Sequence, residues 1–151
     1  MIFTKKPLEL YRKPGLYLQH LGDKGRGLFC TTHIAQDEII ETSPVILLPK
    51  AEEDPLRVTR LAHYAFQTQE ISSSLSGWDQ IDATEGVTGV VMGLISFCNH
   101  AAHPNAQLEQ NEREHALIYT LRAIEPIAEN TEICITYGTG WLAQRMTGKK
   151  L

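Results

Sequence analysis

The chain has 151 residues and a formal net charge of −4, enough length for one domain with its own core. That charge has the wrong sign for a phosphate-binding surface, which needs clustered Lys and Arg to displace counterions, so nucleic acid is not an expected partner. Cys30, Cys98 and Cys134 are widely spaced and form no C-x-x-C pair, which argues against a disulfide framework or a zinc knuckle and fits a reducing compartment. From the amino terminus onward, Met1 to Pro7 lacks a long apolar core, and no later run approaches the roughly 18 apolar residues of a membrane span. The chain reads as soluble and cytoplasmic, with no membrane partner. Short apolar runs broken by Gly, Pro and Asn predict strands at Gly15 to Gln19, Gly27 to Cys30, Glu38 to Leu48, Asn105 to Glu109, His115 to Leu121 and Glu132 to Tyr137. Between them, Asp54-Pro55 offers an N-cap and a first helical residue, and His63 to Thr68 reads as either helix or strand. Ser72-Ser73-Ser74 with Gly77 reads as a loop, and Val87 to Phe97, with Gly89 and Gly93, as a packed helix or a strand pair.

Charge is uneven along the chain. Lys5, Lys6, Arg12, Lys13, Lys24 and Arg26 crowd the first part, while Glu109, Glu112, Glu114, Glu125, Glu129 and Glu132 dominate later. An ordinary solvated surface accounts for this, and an acidic rim that attracts a basic peptide is the sharper reading.

Three segments carry residue types suited to chemistry. Gly25-Arg26-Gly27 lies between two predicted strands, where glycine permits positive φ and close backbone approach. A dinucleotide-binding reading fails because Cys30 stands where the third small residue of G-x-G-x-x-G belongs. Asn99-His100 opens a turn-rich stretch that ends in Pro104-Asn105, and an Asn amide both donates and accepts. Cys98, His100 and His103 match no common zinc spacing and lack an evident fourth ligand. Tyr137 closes an apolar strand beside Gly138 and sets a phenol at a strand end.

Lys24-Gly25-Arg26-Gly27, Phe97-Cys98-Asn99-His100-Ala101-Ala102-His103-Pro104-Asn105 and Ile135-Thr136-Tyr137-Gly138 occur in this order. Together they resemble the SET domain, the fold of protein lysine methyltransferases that use S-adenosylmethionine, from about Gly15 to Trp141. The resemblance implies a mainly β fold of the β-clip type, with small twisted sheets and a C-terminal pseudoknot. Residues 15–48 would form the N-terminal portion, 49–91 an insertion, 92–138 the C-terminal portion and 139–151 a closing tail. It also implies that Lys24, Gly25, Arg26 and Gly27 contact the methionine end of the cofactor and Asn99 and His100 its adenine end. Tyr137 would lie where the methyl donor and the lysine amine meet, as the catalytic residue. Trp141 would flank cofactor or channel, and Phe97 and Ile135 would line the lysine channel with it.

Some positions depart from the family pattern. Ala101 and Ala102 replace the usual Ser and Cys, and Asn130-Thr131-Glu132-Ile133 replaces Gly-Glu-Glu-Ile, a change the turn accepts because Asn tolerates left-handed backbone. Ile135 stands where many relatives carry the aromatic that limits methyl number. No cysteine follows Cys134, so Trp141, Leu142 and Met146 take the place of a zinc-bound cap. The function implied is transfer of a methyl group from S-adenosylmethionine to a lysine amine of a protein, preferably in a basic segment, with no metal. A homodimer is compatible with this reading. The alternative is a non-catalytic module of the same fold that binds a lysine-bearing partner.

Overall fold

The computed structural model describes residues 6–68, 88–114 and 116–137. Within them the domain is mainly β, as expected. In chain order it comprises β1 (Leu16–His20), β2 (Arg26–Cys30), β3 (Ile39–Leu48), α1 (Lys50–Arg57), β4 (Ala65–Gln67), β5 (Thr88–Val91), β6 (Asn99–His100), β7 (Ala106–Arg113), β8 (Ala116–Ala123) and β9 (Cys134–Ile135). Strands β1 and β2 form a hairpin in register from Leu16 with Cys30 to His20 with Arg26. Gly25 closes its turn at φ +78°, a conformation side-chain-bearing residues resist.

The main sheet is antiparallel, in the order β4-β5-β3-β8-β7. Its central strand β3 pairs with β8 up to Pro44 and with β5 from Val45 onward. Pro44 has no N–H to give a ladder, so a change of partner there leaves no donor stranded. Leu28, Ile34, Ile40, Ile95, Leu121, Ile133 and Ile135 are at most 1 % exposed and fuse the hairpin, the main sheet and the C-terminal segment into one core.

A third sheet is a two-residue parallel pair, Asn99 with Cys134 and His100 with Ile135. Ile133 ties it to the hairpin by donating its N–H to the Leu28 carbonyl at 2.8 Å. The expected strand from Glu132 to Tyr137 therefore shrinks to Cys134–Ile135, because each neighbour of this segment offers only one or two paired residues.

Other expectations shift as well. The helix predicted to start at Asp54-Pro55 begins at Lys50 and carries Pro55 inside, where its missing N–H removes one helical hydrogen bond. Glu52 and Glu53 in its first turn and Arg57 in its last complement the helix dipole. His63 to Thr68 divides between a 3₁₀ turn ending at Tyr64 and strand β4. Of the stretch Val87 to Phe97, the described residues 88–97 form neither a helix nor a strand pair. They contain β5 followed by a 3₁₀ turn at Leu94–Phe97. Ser72 to Ser74, Gly77, His115 and the tail from Gly138 lie outside the described residues. No helix among the described residues is long and apolar enough to cross a membrane.

Candidate active site

Pairing of β6 with β9 brings together two motifs more than thirty residues apart in sequence. The Ala101 N–H donates to the Ile135 carbonyl at 3.0 Å, and the Tyr137 N–H donates to His100 Nδ1 at 3.1 Å. Nδ1 is thereby an acceptor, which in the neutral imidazole places the proton on Nε2. The two rings lie 5.3 Å apart, tilted by 40°. At its other end, the Tyr137 hydroxyl donates to the Cys98 carbonyl at 2.6 Å. Residues 98–100 thus hold Tyr137 by backbone, ring and phenol at once.

The Gly25-Arg26-Gly27 turn abuts the same segment. Asn99 Nδ2 donates to the Arg26 carbonyl at 3.3 Å and to Glu132 Oε1 at 2.7 Å. Both Nδ2 partners are acceptors, which fixes the amide orientation and presents Oδ1 as an acceptor. Gly27 sits where this pair closes in: a Cβ there would lie 2.6 Å from Leu21 Cδ1, 2.8 Å from Glu132 Oε1 and 3.3 Å from Asn99 Nδ2. A side chain at this position would crowd the tips of Leu21 and Glu132.

Phe97 lies partly buried, with the Arg26 guanidinium 4.6 Å above its ring and the Tyr64 ring 5.6 Å away. A cation over an aromatic face is attracted by the ring quadrupole. Lys24 ends a 3₁₀ turn in an exposed position. Ile135, expected along the lysine channel, is 1 % exposed and part of the core. Trp141 lies outside the described residues, as do Leu142 and Met146. Lys24 to Gly27, Phe97, Asn99, His100 and Tyr137 therefore gather where the hairpin turn meets the β6–β9 pair. Among the described residues no group of three or more His, Cys, Asp or Glu side chains comes together as a metal site would require.

Two supporting residues escape a reading of the sequence. Asn105 donates through Nδ2 to the Glu132 carbonyl at 2.8 Å and accepts the Cys134 N–H at Oδ1 at 2.9 Å, acting as a one-residue strand beside β9. The double polarity that singles out Asn99 belongs equally to Asn105. Glu132 reads from sequence as a turn residue, the start of a strand and one of the later acidic residues, and none of these readings gives its carboxylate a partner, although it lies two residues before β9. Asn130 itself adopts φ +56°, the left-handed backbone expected of it. Burial pushes the neighbouring Cys134 thiol up to about 11, and the Glu132 carboxylate adds in the same direction.

The SET domain family model matches residues 25–138. A histone-lysine N-methyltransferase of Schizosaccharomyces pombe, H3 lysine-37 specific, is 35 % identical over 117 residues, spanning 76 % of this chain and 67 % of that protein. Among solved structures, a Plasmodium falciparum protein assigned as a histone methyltransferase superposes with TM-score 0.61 at 22 % identity, covering 86 % of this chain and 98 % of its own. The Neurospora SET domain protein DIM-5, a histone lysine methyltransferase, gives 0.63 at 20 % identity and covers 85 % of this chain and 54 % of its own. The family match includes the second and third motifs and the first from Gly25 onward, and the structural neighbours share the fold. The chain belongs to the SET domain family of protein lysine methyltransferases.

Proposed function

We propose that this chain transfers a methyl group from S-adenosylmethionine to a lysine side-chain amine of a protein, with Tyr137 as the catalytic residue. The observation that carries this reading is the double tether of Tyr137, hydroxyl to the Cys98 carbonyl at 2.6 Å and N–H to His100 at 3.1 Å. The residues present fit the cofactor. The segments that the resemblance assigns to its two ends, Gly25 to Gly27 and Asn99-His100, are joined by the Asn99 to Arg26 hydrogen bond. A Cβ at Gly25 would meet nothing within 4 Å, so the turn has an open face.

When bound, S-adenosylmethionine supplies an electrophilic methyl group on a sulfonium centre. This chain must present the substrate's lysine amine to it neutral and aimed. With a pKa of about 10.4, lysine is neutral in only about one molecule in a thousand near pH 7.4, a deficit of roughly 4 kcal/mol. A dry aromatic surround disfavours the ammonium form and raises the neutral fraction. Phe97 and Tyr64 provide two aromatic faces, and Trp141 from the tail would add a third.

The Tyr137 hydroxyl donates its hydrogen bond to the Cys98 carbonyl, so its phenol oxygen faces any other group as an acceptor. An amine N–H donated to that oxygen would leave the nitrogen lone pair directed away from it and free to attack. Proximity and alignment of this kind account for large rate factors in bimolecular transfers. Arg26, through its backbone, and Asn99, through its side-chain amide, would hold the cofactor. The S. pombe relative is specific for lysine 37 of histone H3, and a lysine in a basic, histone-like segment is accordingly the proposed substrate class. A reducing compartment goes with the three free cysteines.

Calorimetry with S-adenosylmethionine or its demethylated product tests the cofactor reading. Binding with a raised melting temperature is expected, since a ligand selective for the native state stabilises it by mass action. Absence of binding at millimolar cofactor would replace the enzyme by the lysine-binding module.

A further inference from the structure

One buried carboxylate has no place in the chemistry above. Glu41, on β3, is 1 % exposed. Its Oε1 accepts Arg12 Nε at 2.5 Å, and its Oε2 accepts the Ser43 hydroxyl at 2.8 Å and the Ile95 N–H at 3.0 Å. A buried charge persists only when paired and hydrogen-bonded, and Arg12, Ser43 and Ile95 all donate to this one.

The partners come from three separate elements. Arg12 belongs to an arm that pairs antiparallel along the edge of β3: the Thr42 N–H donates to the Tyr11 carbonyl at 2.8 Å, and the Lys13 N–H to the Ile40 carbonyl at 2.9 Å. Further along β3, β5 pairs from Val45 onward. The carboxylate joins the arm, through Arg12, to the turn that follows β5, through Ile95. Gly93 leaves room for it, since a Cβ there would collide with Ser43 Oγ and lie 2.8 Å from Glu41 Oε2. Ile95 lies in the 3₁₀ turn Leu94–Phe97 that leads directly into Cys98, whose N–H donates to the Ile95 carbonyl at 3.0 Å. The Cys98 carbonyl in turn holds the Tyr137 hydroxyl.

We propose that Glu41, clamped by Arg12, is a positioning residue for methyl transfer: it pins the turn at Ile95 and thereby sets the Cys98 carbonyl that aims Tyr137. The inference rests on the methyl-transfer reading above. It brings the N-terminal arm, which precedes the matched residues 25–138, into the working domain. Arg12 is half exposed, so its replacement leaves the core intact while removing the cation that offsets the buried carboxylate.

The test compares Arg12→Ala, Arg12→Lys, Glu41→Gln and Lys13→Ala by steady-state kinetics with S-adenosylmethionine and a histone H3 peptide, well below each melting temperature. Lys13 sits in the same arm but pairs with Glu38 rather than Glu41, so Lys13→Ala reports on arm docking alone. The positioning role predicts that Arg12→Ala lowers kcat on the order of tenfold or more, as small misplacements of reacting groups do. Both KM values should stay within about twofold, Arg12→Lys should recover most of the loss, and Lys13→Ala should keep wild-type kcat. Unchanged kcat in Arg12→Ala, or an equal loss in Lys13→Ala, overturns it. If Glu41→Gln does not fold, the Arg12 pair decides alone. Absence of methyl transfer by the unmodified chain would defeat the underlying reading instead, and the role with it.

Discussion

Replacing Gly27 by alanine probes the junction between the hairpin turn and Asn99. The new methyl would lie 2.6 Å from Leu21 Cδ1 and 2.8 Å from Glu132 Oε1, where comfortable carbon contacts begin near about 3.5 Å. Leu21 must therefore retreat by about 1 Å, and the Glu132 carboxylate by somewhat less. The Leu21 tip is flexible and only partly buried, which places the stability loss at the low end of overpacking, about 1 kcal/mol. The carboxylate has less freedom, because Asn99 Nδ2 donates to it at 2.7 Å. Hydrogen bonds to charged groups are worth about 1.5 to 3 kcal/mol, and partial exposure of this pair reduces that to about 1 kcal/mol. Asn99 loses its fixed orientation as the bond loosens, so about 1 kcal/mol reappears as a roughly fivefold higher Kd for S-adenosylmethionine. Thermal melts and calorimetry on the same protein separate the two effects. A melting temperature that falls while Kd stays at the wild-type value would show that the Glu132–Asn99 pair does not shape the cofactor surface.

Asn105→Ala removes two bonds, at 2.8 and 2.9 Å, that align β9; at about 1 kcal/mol each it should lower stability by about 2 kcal/mol in urea unfolding, and near-wild-type stability would mean another group serves β9. The Cys134 thiol, pushed up to about 11 by burial, should stay protonated at pH 8 and react with a maleimide far more slowly than free cysteine. With its folded pKa above the unfolded value, the folded state keeps the proton longer, so stability is intact below about pH 8.5 and falls as pH rises toward 11. Cys134→Ser should flatten that alkaline decline, and an unaltered decline would assign it to other groups.

The motifs are legible because each depends on a local chemical property that sequence displays. Gly25 has the positive φ its turn requires, and Asn130 the left-handed backbone its lead-in requires. Asn99, His100 and Tyr137 are readable as polar residues at turns and a strand end. Pairing is not readable in this way. Nothing local in Cys134-Ile135 announces a parallel partner at Asn99-His100, because that pairing is decided by the burial of Ile133 and Ile135 against Leu28. The helix start shifts for a similar reason. Asp54-Pro55 is a sound start signal, yet the chain leaving β3 at Leu48 turns helical at once and carries the proline inside. Glu41 looks like one charge in a strand, and only the convergence of Arg12, Ser43 and Ile95 explains its burial.

The central claim, that Tyr137 aims a lysine amine at the methyl of S-adenosylmethionine, is tested most directly by mass spectrometry of a lysine-containing histone H3 peptide. The peptide is incubated with labelled cofactor and either the unmodified chain or Tyr137→Phe. The account predicts label on lysine with the unmodified chain. It predicts turnover lower on the order of a hundredfold in the variant with cofactor Kd nearly unchanged, the pattern of an interaction made mainly in the transition state. Equal turnover by the two proteins, or bound cofactor with no label on any lysine, would contradict it.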